Sequence, residues 1–168
     1  MSAADRPPLS FDPVEEAARQ WRTQWEEMPR MRAVTSLMRV HQLVLTELDE
    51  LLRPIGLTFA RYEVLVLLSF SRRGALPLGK IGERLQVHAT SVTPLVKRLE
   101  AAGLIQRTPH PEDGRAVLAS ITPKGREVML TATEAIVNAR FALGAMTEAD
   151  CDQLTELLTG PRHAAGDF

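Results

Sequence analysis

The chain has 168 residues, 45% of them apolar and 24% charged, which suits one globular domain with a proper core. No stretch reaches the roughly 20 apolar residues of a membrane span, the N-terminus lacks the basic-then-apolar pattern of a secretory signal, and the single cysteine, Cys151, permits no internal disulfide, so no membrane association and a cytoplasmic location are expected. The formal net charge of −1 argues against a nucleic-acid partner until its distribution is read: residues 72–126 carry +6 and the remainder −7, either a basic face for phosphates or a chance asymmetry of solvated charge.

Residues 1–12 are expected to be disordered. Asp12 and Pro13 read as an N-cap with proline at the first helical position, and Glu15 and Glu16 suit the first-turn dipole. This helix is expected to run to residue 28, with Trp21 and Trp25 on one face, and to stop at Pro29. Apolar residues then recur at helical spacing from Met31 through Val34, Leu37, Met38, His41, Val44, Leu45, Leu48 and Leu51 to Leu52, ended by Pro54 and Gly56. A third helix starts near Thr58. Its run Val64-Leu65-Val66-Leu67-Leu68 is apolar all round, as a central helix buried on every side should be.

Two short helices follow, the first marked by Leu78, Ile81 and Leu85, the second by Val92, Leu95, Val96 and Leu99 and closed by Gly103. Residues 104–108 and 115–121 read as two strands joined by the turn 110–114. Thr122-Pro123 caps a long helix to about residue 143, and Thr147 with Asp150 three residues later caps a last one. The tail from residue 160 is expected to fray. The fold class is therefore mainly α, with a two-stranded β-wing.

Residues 78–99 form the constellation that carries chemistry. Their apolar positions bury one side of two helices joined by a tight turn at 86–88. The opposite side of the second helix presents Ala89, Thr90, Ser91, Thr93, Lys97 and Arg98. Small and hydroxylic residues let a helix backbone approach base edges, and Thr and Ser can bond phosphates or bases. Lys97 and Arg98 lie a turn later, where phosphates would be. The alternative is a helix pair that only packs in a core, since this geometry also occurs in enzymes and protein-binding modules. A ribbon carrying Arg107 and Arg115, with Lys124 just beyond, shifts the balance towards double-stranded DNA, because its tip suits the narrow minor groove.

The segment LQVHATSVTPLVKRLEAAGLIQRTPHPEDGRAVLASITPKG resembles the recognition helix and wing of the MarR family of winged helix-turn-helix transcriptional regulators. GLTFARYEVLVLLS before it and TEADCDQL after it fit the flanking helices, and the likeness covers roughly residues 31–160. The resemblance implies a homodimeric repressor with an entwined helical dimerisation region, each lobe reading half of an inverted repeat. One domain at 13–168 is then expected, with dimerisation helices in 13–57 and 122–160, a winged lobe at 58–121 and a tail at 161–168. It also implies that Asp113 orients Arg115 and that Arg115 enters the minor groove.

Gly114 stands where an arginine is common, and Gly79 and Gly82 where alanine-like residues are usual, each glycine costing about 1 kcal/mol of helix propensity. Pro94 should disturb the ladder of the recognition helix, although the organic-hydroperoxide-sensing branch tolerates a proline there. That branch uses a cysteine in the first dimerisation helix, and none occurs between residues 31 and 52. Cys151 shares an apolar stripe with Leu154 and Leu158 and reads as a buried, inert thiol.

The resemblance implies a pocket for a small aromatic or carboxylate effector between the long dimer helix and the lobe. Its candidates are Arg39, His41, Arg61 and Tyr62, with Trp21 or Trp25 lying across. Each has a plainer reading as a core, capping or ion-paired residue. His41, His88, His110 and His163 are too scattered for a metal site. No Gly-rich phosphate loop, nucleophile elbow or dinucleotide fingerprint occurs, so neither enzyme activity nor a cofactor is expected. The rival function is a winged-helix protein-interaction module without sequence-specific DNA binding, motivated by the acidic body and the glycine at the wing tip.

Overall fold

The computed structural model describes residues 7–26, 28–110 and 116–168. Helix α1 (Pro13–Trp21) starts as expected, with the Asp12 carboxylate accepting from the Val14 amide at 2.8 Å. It ends well short of residue 28. The Trp21 indole donates to the Glu26 carbonyl at 2.8 Å and folds the chain back on itself. Pro29 therefore does not stop α1 but sits in the first turn of α2 (Met28–Leu52), where its missing amide has no helical partner to lose.

Of the 25 residues of α2 only Leu48 and Leu52 are buried. A 3-10 turn (Arg53–Ile55) leads to α3 (Phe59–Phe70). Thr58 has the extended backbone of an N-cap, yet its side chain makes no capping bond; Asp49 of α2 accepts from the Phe59 amide at 2.7 Å instead. Tyr62, Val64, Leu65 and Leu68 of α3 occupy the centre of the core.

The winged lobe continues with β1 (Ala75–Pro77), α4 (Leu78–Arg84), α5 (Ala89–Ala101), β2 (Ile105–Pro109) and β3 (Val117–Ile121). The sheet has three strands, not two, in antiparallel order β1-β3-β2. Strand β1 was not foreseen because three residues ending in proline carry no alternation. Pairing with β3 makes it a strand, Ala75 lying opposite Ser120, and proline is tolerated at such an edge.

Helix α6 (Pro123–Asn138) is capped by Thr122, whose hydroxyl accepts from the Gly125 amide at 3.0 Å. It stops before residue 143, at a 3-10 turn (Arg140–Ala142) whose three residues all take left-handed φ, at 49°, 53° and 58°. Non-glycine residues adopt this conformation at a cost of about 1–2 kcal/mol each. Arg140 is exposed, so Arg140→Gly is expected to stabilise the fold by about 1 kcal/mol, a rise of roughly 2–4 °C in Tm by calorimetry. An unchanged or lower Tm would show that the turn stores no strain at this position.

Helix α7 (Glu148–Ala164) opens on the expected capping box of Thr147 and Asp150. It runs through Pro161 to Ala164, so the tail expected to fray from residue 160 is helical as far as Ala164. The core is one cluster, joining Leu48 and Leu52 of α2 to Ile81, Val92, Val96 and Leu99 of the lobe and to Met129, Ala132 and Ile136 of α6. Among the described residues the one polar group on a buried side chain is the Tyr62 hydroxyl, which is hydrogen-bonded to that of Thr133. In the same residues no helix is long and apolar enough to cross a membrane.

Candidate nucleic-acid interface

The turn between α4 and α5 depends on two local features. Gln86 takes a left-handed φ of 54°, which turns the chain, and the Val87 amide closes back on the Gly82 carbonyl at 3.0 Å. A Cβ on Gly82 would lie 3.1 Å from the Val87 carbonyl oxygen and 3.2 Å from a Val92 methyl. Gly82 is thus what lets the two helices approach, and its lost helix propensity is offset by that contact. Gly79 faces open space and has no such role.

Helix α5 buries Val92, Val96 and Leu99 and turns Thr90, Ser91, Thr93, Lys97 and Arg98 outward, all exposed. Pro94 is exposed on the same side and removes the amide that would have bonded the Thr90 carbonyl. The helix is capped by His88, whose Nδ1 accepts from the Thr90 amide at 3.3 Å and lies 2.8 Å from the Thr90 hydroxyl. Asp113 and Arg115 lie outside the described residues, as does the side chain of Ala89, although its backbone opens α5.

Arg107 and Lys124 are engaged within the lobe. Arg107 of β2 grips Glu100 of α5, with Nε donating at 2.7 Å and Nη2 at 2.6 Å from the same carboxylate oxygen. The guanidinium holds the Glu100 carboxyl below its ordinary value, so the brace is present above that value and is lost as pH falls through the lowered one. Lys124 donates to the Ala102 carbonyl at 3.0 Å, and the Thr122 hydroxyl to the Gly103 carbonyl at 2.8 Å. These contacts tie the wing root and the start of α6 to the end of α5.

The six residues proposed for an effector lie on α1 and the turn after it, on α2 and on α3. Trp21 and Trp25 pack together with ring centroids 4.8 Å apart. Arg39 and His41 are exposed on α2. Arg61 donates to the Thr58 hydroxyl at 3.2 Å, and Tyr62 is buried, its hydroxyl 3.0 Å from that of Thr133. An open hollow of about 480 Å³ is lined by Leu37 of α2, by Leu158, Pro161 and Ala165 at the end of α7, and by Gln86, Arg162 and Asp167.

At its rim Asp167 accepts from Gln86 at 2.6 Å with one oxygen and from Arg162 at 2.7 Å with the other. Those two partners hold the Asp167 carboxyl below its ordinary value. The last residues thereby latch the helix-turn-helix turn to α7. Sequence reasoning missed this link because a short tail has no periodicity and its partner lies 81 residues away. Cys151 is half-buried rather than buried, in a hollow with Arg140, Phe141 and Met146. Among the described residues no group of His, Cys, Asp and Glu could hold a metal ion.

Comparison with known proteins places this arrangement. A MarR family model matches residues 57–117. The HTH-type transcriptional repressor MdtR of Bacillus subtilis is 32% identical over 133 residues, covering 77% of this chain and 83% of MdtR. Sco5413, a MarR family transcriptional regulator from Streptomyces coelicolor, superposes with a TM-score of 0.79 at 51% identity, covering 83% of this chain and 97% of its own. Sco3205 from the same organism, solved in complex with DNA, has the same fold at a TM-score of 0.75 and 23% identity, over 84% of this chain and 94% of its own.

Proposed function

From the premise that this chain belongs to the MarR family of DNA-binding transcriptional regulators, and not among enzymes, we propose that it is a homodimeric repressor reading an inverted repeat and released by a small anionic effector. The observation that carries the reading is the outward face of α5, where Thr90, Ser91, Thr93, Lys97 and Arg98 are exposed on a helix braced to the wing. The Ser91 and Thr93 hydroxyls meet base edges in the major groove, the Thr90 methyl packs beside them, and the two cations meet phosphates. Ala89 allows the close approach, Arg107 holds the wing at its angle, and Arg115, oriented by Asp113, enters the minor groove.

A second copy is needed for an inverted repeat, and α7 supports one. It is 17 residues long and buries none of them against its own chain. Val34, Leu37, Met38, Val40 and Leu43 of α2, with Leu130 and Val137 of α6, are likewise exposed apolar residues. Such surface marks an interface. Two α5 helices about 34 Å apart then engage successive major grooves.

The effector seat is the open hollow beside the Asp167 latch. Its apolar walls suit an aromatic ring, and Arg162 suits a carboxylate in place of Asp167. Losing Asp167 frees Gln86 and hence the turn, which lowers the population of lobes correctly placed for DNA.

Two measurements test this. Selection of bound duplexes from a random pool at about 150 mM salt, which suppresses purely electrostatic binding, is expected to enrich an inverted repeat with half-sites one helical turn apart. No enrichment by a folded dimer would remove the operator reading. Benzoate at millimolar concentration is expected to weaken operator binding by the wild-type protein. Arg162→Gln, with its latch already loosened, is expected to bind more weakly without benzoate and to lose nothing further with it. A full benzoate response in Arg162→Gln would remove Arg162 from the mechanism.

A further inference from the structure

We infer that His88 is a base-reading residue, donating from Nε2 to a guanine in each half-site; this rests on the DNA-binding reading above. The inference starts from the proton inventory of the imidazole. Nδ1 accepts from the Thr90 amide at 3.3 Å, which assigns the ring's hydrogen to the other nitrogen, and the Thr90 hydroxyl stands 2.8 Å from the same nitrogen, placed to donate to it. A neutral ring protonated on one nitrogen must then carry its hydrogen on Nε2. The cap fixes both the tautomer and the orientation of the ring, so the remaining donor is presented rather than free to rotate.

The surroundings give that donor its task. His88 is exposed at the very start of α5, the end of a recognition helix that approaches base edges. The exposed side chains in the first turns of α5, Thr90, Ser91, Thr93 and Pro94, are all short. Lys97 and Arg98 come later along the helix, and Gln86 is held by Asp167. Within α5 and its cap, His88 is therefore the long nitrogen donor of the first turns.

A single fixed N–H with no accompanying acceptor fits guanine best. In the major groove guanine shows two adjacent acceptors, N7 and O6, whereas adenine sets a donor beside its N7. The Thr90 hydroxyl, committed to Nδ1, supports the ring in the way that an outer partner orients a ligating histidine.

The test separates capping from reading. His88→Ser supplies a good N-cap hydroxyl but no donor beyond it. The variant is expected to keep the wild-type Tm and dimeric state, and to lose the guanine preference at one symmetric pair of positions in duplex selection. On the wild-type operator it is expected to bind about fivefold more weakly per half-site, the worth of one neutral hydrogen bond. Nitrogen-15 spectra of the free protein are expected to show the ring of His88 protonated on Nε2. An unchanged selection profile and affinity for His88→Ser would overturn the assignment, and so would a uniform loss on every duplex, which would place the ring on a phosphate. Failure of the wild-type protein to enrich any sequence would instead remove the operator reading beneath it.

Discussion

Gly125→Ala is expected to destabilise the protein by roughly 3 kcal/mol and to lower its Tm by about 6–12 °C. Gly125 lies in the first turn of α6, where the Thr122 hydroxyl accepts from its amide. A Cβ there would stand 2.0 Å from the Leu104 carbonyl oxygen and 3.0 Å from the Ile121 side chain. Neither can move cheaply. The Leu104 carbonyl accepts from the Thr122 amide at 3.0 Å, and Ile121 pairs with Ile105 across the sheet. Relief requires α6 to back away from the wing root, which breaks the packing that joins the lobe to α6. Calorimetry checks the stability, and a loss below 1 kcal/mol would mean that α6 slides without disturbing the wing.

Met38→Asp is expected to leave the fold of one protomer intact while abolishing the dimer at micromolar concentration. Met38 is 62% exposed on a stretch of α2 whose neighbours Val34, Leu37 and Leu43 are also exposed, so its own chain gives it little to pack against. An aspartate there costs nothing in the monomer and buries an uncompensated charge in a dimer. Two half-sites bound by one dimer gain avidity of about 10²–10⁴-fold, and that factor should vanish from operator affinity. Sedimentation reads the oligomeric state and gel shift the affinity. A dimer of wild-type strength would place the interface elsewhere.

The arrangement of the lobe was legible because its signals are local. The apolar spacing of Leu78, Ile81, Val92, Val96 and Leu99 places a buried face on each short helix, and all except the half-buried Leu78 are buried. The Asp12, Thr122 and Thr147 caps open α1, α6 and α7 as read. The outward face of α5 follows from the same period. Where readings failed, a distant group had intervened. Trp21 reaches the Glu26 carbonyl and ends α1 early, and Asp49 supplies the cap that Thr58 does not.

Several features that govern the interface belong to this second kind. Gly82 counts as a helix weakness until Val87 and Val92 close over it. Arg107 counts as a free cation until Glu100 takes it, and the tail counts as frayed until Asp167 reaches Gln86. By itself, then, the sequence determined the order of helices, their buried faces and the side chains that α5 turns outward, because spacing and capping act within a few residues. Only the tertiary structure decided which cations are spent on the protein's own carboxylates, where β1 pairs, and how the chain end holds the turn, because those energies depend on partners that sequence separation does not reveal.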